Sequence, residues 1–270
     1  MLKGLVWPEW DKASKEYPQD FRRGLPGAEL QLLDEGRVAV MTIRIWSGYT
    51  DKEKTPLPLF FLKSFEQLRD HDTKTLIIDV RGNPGGDDEP GRQLFAYLTD
   101  QPFLYYRDLV LNGVGFNFMR YAEAPETIPA QDMVKGSDDK WHYTKHPNWG
   151  TQSPSAPHFA GRVMVLQNGG SFSASSEFAS ILRSHKRAVF IGEENGGGYD
   201  GNNSGFMPYI ILPHSGLRLR VALMSYYMAG DGGNPRDRGV LPDYPVGYTI
   251  EELLAGTDKA MAVALDLARR

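Results

Sequence analysis

Residues 162–191 read as strand, helix and strand in quick succession, and that order leaves few folds open. RVMVLQ (162–167) and RAVFI (187–191) are short runs rich in β-branched and apolar residues. Between them, Phe178, Ile181 and Leu182 mark one face of a helix over 174–184. Two strands joined through a helix lie parallel with a right-handed crossover. KTLIIDV (74–80) has the same apolar character, which suits a parallel strand buried on both faces. It ends in the breaks of Gly82, Asn83, Pro84, Gly85 and Gly86, and a helical pattern resumes over 90–98 through Leu94, Phe95 and Leu98.

Other segments extend this frame. RVAVMTIRI (37–45) and FLYYRDLVL (103–111) read as strands, and 57–70 reads as a helix through Leu59, Leu62, Phe65 and Leu68. Residues 206–212 and 217–224 flank His214, Ser215 and Gly216 as a β-hairpin. Residues 250–269 read as one closing amphipathic helix. Residues 1–36 are broken by Pro8, Pro18 and Pro26 and read as an irregular arm or the remnant of an upstream region. Residues 120–158, with Pro125, Pro129, Pro147, Pro154 and Pro157, read as an inserted surface segment. The whole is an α/β domain with a mixed sheet over 37–270.

Composition narrows the function. A formal net charge of −4 over 270 residues gives no broad basic field for nucleic acid. No apolar run approaches the roughly 20 residues that span a bilayer. The chain has no cysteine, so disulfides, thiolate zinc sites and cysteine nucleophiles are excluded together. The first residues, MLKGLVWPEWDK, lack the apolar stretch of a signal peptide.

Two segments carry chemistry. DVRGNPGG (79–86) lies between a buried strand and a helix, where glycines let backbone N–H groups approach a ligand or serve a tight turn. It matches neither a dinucleotide fingerprint nor a P-loop. NGGSFSASSEF (168–178) places a serine at a helix start after a strand. Capping is the commoner use of such a serine, and nucleophilic attack supported by the first-turn N–H groups is the other. Ser171, Ser173, Ser175 and Ser176 all qualify by spacing.

Together these segments resemble the tail-specific, or C-terminal processing, serine peptidases. DVRGNPGG is similar to that family's D-L-R-x-N-x-G-G block, and NGGSFSASSEFASIL to its S-A-x-E helix start. AVFIGEENGGG is similar to its G-E-x-T-G-G segment, ILPHSGLRLRV to the hairpin that follows, and RGVLPDYPV to its G-V-x-P-D-x-x-V block. The resemblance runs from about residue 37 to the end and is nearest the branch containing the tricorn core protease and the interphotoreceptor retinoid-binding protein. It implies a crotonase-like core, a mixed sheet with helices on one side. It implies Ser173 as nucleophile, the N–H of Ala174 with that of Gly85 or Gly86 as oxyanion hole, and Asp231 as acidic partner. The implied substrate is a peptide or unfolded protein tail, cut without metal or organic cofactor, in an exported protein. The oligomeric state is not implied.

The catalytic base is not legible. The lysine of Ser–Lys members would fall near Gly198, where EENGGGYDG has none. The histidine of the tricorn branch lies upstream of DVRGNPGG, and there only His71 occurs, in what reads as a helix end. His142 and His146 fall in the inserted segment without the pattern of a metal pair. His158, His185 and His214 read as surface residues. A base outside this chain, or a non-catalytic binding relative, are the two readings this leaves.

Overall fold

The computed structural model describes residues 27–47, 55–124, 128–230 and 234–270. The central sheet is six-stranded. It contains β1 (Ala28–Leu33), β2 (Val38–Ile43) and β3 (Thr75–Asp79). After the short β4 (Phe103–Leu104), β5 (Tyr106–Leu111), β6 (Met133–Lys135), β7 (Trp141–Tyr143) and β8 (Thr151–Gln152) come β9 (Arg162–Gln167) and β10 (Val189–Gly192). β11 (Gly201–Ser204), β12 (Tyr209–Ile211), β13 (Arg218–Arg220), β14 (Met224–Met228) and β15 (Tyr244–Pro245) complete the strands. The central order is β1-β2-β3-β9-β10-β15. All its pairs are parallel except β1 with β2.

Period-two alternation sorts the strand side chains onto two buried faces. Ala39, Met41, Leu76, Ile78, Val163 and Val165 enter the large core. There they meet α1 (Leu57–Asp70), α2 (Glu89–Ala96) and α3 (Ala174–Ser184). Val38, Val40, Ile77, Met164 and Leu166 face the other way, onto Ala260 and Ala264. Those alanines belong to α5 (Lys259–Arg269), which follows the short α4 (Ile250–Leu254). Helices therefore cover both faces, not one, because strands apolar on both sides need cover on both.

A second, five-stranded antiparallel sheet of order β11-β14-β5-β7-β6 packs beyond α3. Held between the two sheets, α3 is buried at every residue from Ala174 to Leu182. The hairpin expected around His214 is β12–β13.

Three expectations change. β1 lies inside the stretch read as an arm and pairs along its whole length with β2; residues 1–26 lie outside the described residues. The stretch 120–158 supplies β6 and β7 to the second sheet, and β8 pairs with β4. The closing helix is two helices. Gly256 sits at φ +67° between them. Thr249 and Glu252 form a capping box on α4, and the Asp258 carboxylate accepts from Met261 N–H to start α5. Asp258 also receives Arg81, which bridges it to Asp79 at the end of β3. Asp258→Ala removes both the cap and this tie, so thermal unfolding should show a loss of about 1–3 kcal/mol. An unchanged midpoint would mean that α5 docks through its apolar face alone.

Candidate active site

β3 and β9 are neighbours and run parallel, so the turns leaving them emerge side by side. Side chains stitch these turns together. Asn168 Oδ1 accepts from Gly82 N–H at 2.7 Å and from Gly170 N–H at 3.1 Å. Asn83, fully buried, sends Nδ2 to the Ile43 carbonyl at 2.9 Å and accepts Gly85 N–H on Oδ1 at 2.9 Å. Its carbonyl accepts Phe172 N–H at 2.9 Å. Neither asparagine stood out in the sequence as a site residue; an Asn inside each glycine-rich turn was the available signal.

The four serines separate by their partners. Ser171 Oγ donates to the Val80 carbonyl at 2.8 Å, Ser175 Oγ to the Asn83 carbonyl at 3.1 Å, and Ser176 Oγ to the Ser171 carbonyl at 3.2 Å. Ser175 also accepts Trp46 Nε1–H at 2.7 Å. These hydroxyls are structural. Ser173 is half-buried at the N-cap of α3, and its side chain makes no capping bond. Its backbone sits at φ 54°, ψ −124°. That region favours glycine, and a side chain held there stores about 1–3 kcal/mol.

Gly85 lies directly against this residue: a Cβ on it would come within 2.6 Å of Ser173 Cβ and 3.1 Å of Ala174 N. The Gly85 N–H is already committed to Asn83, and its carbonyl accepts Trp46 N–H at 3.0 Å. Gly86 bridges to Trp46 and is exposed. Among the described residues, the N–H groups of Ala174 and Gly86 donate to no carbonyl or side chain. The Ala174 N–H belongs to the first turn of α3, directly after Ser173.

The lysine position is closed. A Cβ on Gly197 would lie 2.3 Å from Ser176 Oγ and 3.5 Å from Ser173 N, and one on Gly198 would lie 2.6 Å from the Gly201 carbonyl. His71 caps α1 through Nδ1 on the Gln67 carbonyl at 2.9 Å and packs on Gly36. It precedes β3, whereas Ser173 follows β9, so the two occupy opposite ends of parallel strands. His185 ends α3, the far end from Ser173. His142 turns to Asp108 and Asp138, and these carboxylates raise its pKa. His146 instead faces Asp88, with Nε2 3.4 Å from Oδ2, so the two histidines address different carboxylates. Asp231 lies outside the described residues. Its neighbour Gly230 packs against Ser184 and Tyr199.

Behind Ser173, one turn along α3, Glu177 is buried. Asn202 Nδ2 donates to its Oε1 at 2.5 Å, and Tyr106 Oη lies 2.7 Å from its Oε2. Burial, then the charge of Asp88, pushes the Glu177 carboxyl up to about 7. Burial lowers the His146 imidazole. A separate cleft of about 760 Å³, lined by Asp79, Arg81, Asn168, Tyr248 and Asp258, opens on the α5 side of the strand ends and does not include Ser173.

A sequence model of peptidase family S41 matches residues 54–246. Among solved structures, a peptidase from Parabacteroides merdae ATCC 43184 is similar over 96% of this chain and 69% of its own, at 18% identity and a TM-score of 0.58. Mature CPAF is similar over 88% of this chain and 52% of its own, also at 18% identity, with a TM-score of 0.56. The chain thus spans about two thirds of the first and half of the second. No curated protein matches it. At such identities the structural likeness establishes the fold.

Proposed function

Since the chain belongs to peptidase family S41, we propose that it hydrolyses peptide bonds through an acyl-enzyme on Ser173. The observation that carries this reading is the contrast among the four serines. Three hydroxyls are tied to backbone carbonyls, while Ser173 makes no capping bond, sits on a strained helix cap and is followed directly by the unspent N–H of Ala174. In the proposed step, Ser173 Oγ attacks the scissile carbonyl carbon. The electron pair of the carbonyl moves onto oxygen, between the N–H groups of Ala174 and Gly86 and at the positive end of α3. Collapse breaks the C–N bond, and the Ser173 hydroxyl proton leaves on the amine nitrogen; water then adds to the acyl carbon, its O–H staying with the released acid and its other proton returning to Ser173 Oγ. Gly85 serves this arrangement by its closeness and not as a donor. Among the described residues no base hydrogen-bonds to Ser173 Oγ.

A crotonase-like core belongs to the same proposal. So do unfolded protein tails as the substrate class.

The test is labelling with a fluorophosphonate probe, which reports an activated serine without a chosen substrate. The native chain should label and Ser173→Ala should not. Labelling that persists in Ser173→Ala would move the nucleophile elsewhere. A chain that never labels would be a binding relative, in which Ser173→Ala leaves ligand affinity intact.

A further inference from the structure

Tyr106 Oη stands 2.7 Å from Asp88 Oδ2 and 2.7 Å from Glu177 Oε2. A phenol carries one proton and can donate to one carboxylate. Two ionised carboxylates cannot both be satisfied by it, and the second contact at that distance needs a proton of its own. Both oxygens of Glu177 are engaged, Oε1 by Asn202 and Oε2 by Tyr106. Asp88 Oδ2 has His146 Nε2 at 3.4 Å as a further partner. The extra proton therefore belongs on Glu177 Oε2, donating to Tyr106, which donates to Asp88.

We propose that Asp88, Tyr106 and Glu177 share this one carboxylic proton at neutral pH, and that it holds the first turn of α3, and with it Ser173, against the N-terminus of α2. Glu177 is then a positioning residue. Its backbone N–H, like that of Ser176, bonds to the Ser173 carbonyl, at 3.1 Å and 2.7 Å. Losing the proton sets two carboxylates against each other across one phenol, between the helix that carries Ser173 and the helix that follows Gly86. His146 and, from β7, Tyr143 face Asp88, and the other groups facing the cluster are Tyr105 from the strand edge beside β5, Tyr226 from β14 and Arg92 from α2. Burial and the Glu177 and Asp88 charges hold the Tyr105 and Tyr226 phenols protonated, and Arg92 is spent on Glu89 and Asn148. Among the described residues no cation is paired with Glu177.

The sign follows from linkage. A carboxyl whose folded pKa lies above its unfolded one binds its proton more tightly when folded. Its contribution is complete below about 4.5 and is lost as pH rises toward about 7. The positional consequence rests on the Ser173 reading; the shared proton does not. The experiment uses the chain itself and Glu177→Gln, an isostere of the neutral carboxyl. Thermal unfolding is followed from pH 5 to 8, with hydrogen exchange of the Ser176 and Glu177 amides corrected for intrinsic rates. The native midpoint should fall relative to Glu177→Gln as pH rises. Native protection of those amides should drop by up to about tenfold per pH unit between about 4.5 and 7 and level off above that, while the variant stays flat.

Equal pH slopes in the two proteins would overturn the shared proton. A flattened midpoint with unchanged exchange would overturn the positioning role. Should Glu177→Gln not fold, Asp88→Asn decides: removing the opposing charge lowers the Glu177 carboxyl, so the fall should shrink and end at lower pH, and an unmoved fall overturns the proposal. Probe labelling is scored separately, so a silent Ser173 would sink the peptidase mechanism while these readouts still decide the cluster.

Discussion

Gly85→Ala should lower fluorophosphonate labelling of Ser173 by about 100-fold or more, and thermal stability with it. The glycine sits at φ +105°, where L side chains are strained. Its new Cβ would come 2.6 Å from Ser173 Cβ, 3.0 Å from the Phe172 carbonyl and 3.1 Å from Ala174 N. Two of these neighbours are backbone, so relief must come from moving the start of α3. A displacement near 1 Å at a reacting group costs about 10²-fold. Strain and overpacking together cost about 2–6 kcal/mol, which in a chain of this size lowers the midpoint by roughly 5–15 °C. The control is Gly216→Ala, whose φ is +67° but whose Cβ meets nothing within 4 Å. It should keep full labelling and lose about 1 kcal/mol. Full labelling in Gly85→Ala would mean that the Ser173 position tolerates what the contacts forbid.

Ser173→Gly should abolish labelling and make the protein more stable. At φ 54° and ψ −124° a serine is strained and a glycine is not. Release of about 1–3 kcal/mol, set against the larger chain entropy glycine loses on folding, leaves a gain of about 1 kcal/mol. In thermal unfolding that is roughly 2–4 °C. Ser173→Ala keeps the strained backbone, so it should lose labelling without the gain. If glycine lowers the midpoint, the serine hydroxyl contributes to folding and the strain argument fails.

Local signals were the readable ones. The bounds 57–70, 162–167 and 174–184 read from apolar spacing and glycine breaks coincide with α1, β9 and α3. The second sheet was not readable, because β11 and β14 are short and β14 pairs with β5 across more than a hundred residues. The break between α4 and α5 was hidden because apolar positions continue across Gly256. At the site, the resemblance pointed to Ser173, but only the partners of the neighbouring hydroxyls separate it from Ser171, Ser175 and Ser176. The Asp88, Tyr106, Glu177 and Asn202 cluster comes from four elements and has no linear pattern at all.

The three glycines at 196–198 bear on how such a site can change over generations. A lysine arriving at 197 would meet Ser176 Oγ at 2.3 Å, and one at 198 the Gly201 carbonyl at 2.6 Å. The first obstacle is a side chain and can be cleared beforehand by Ser176→Gly; the second is main chain and cannot. A lineage moving from this centre to lysine chemistry must therefore pass through position 176 first, and the reverse order of the two substitutions is closed to it.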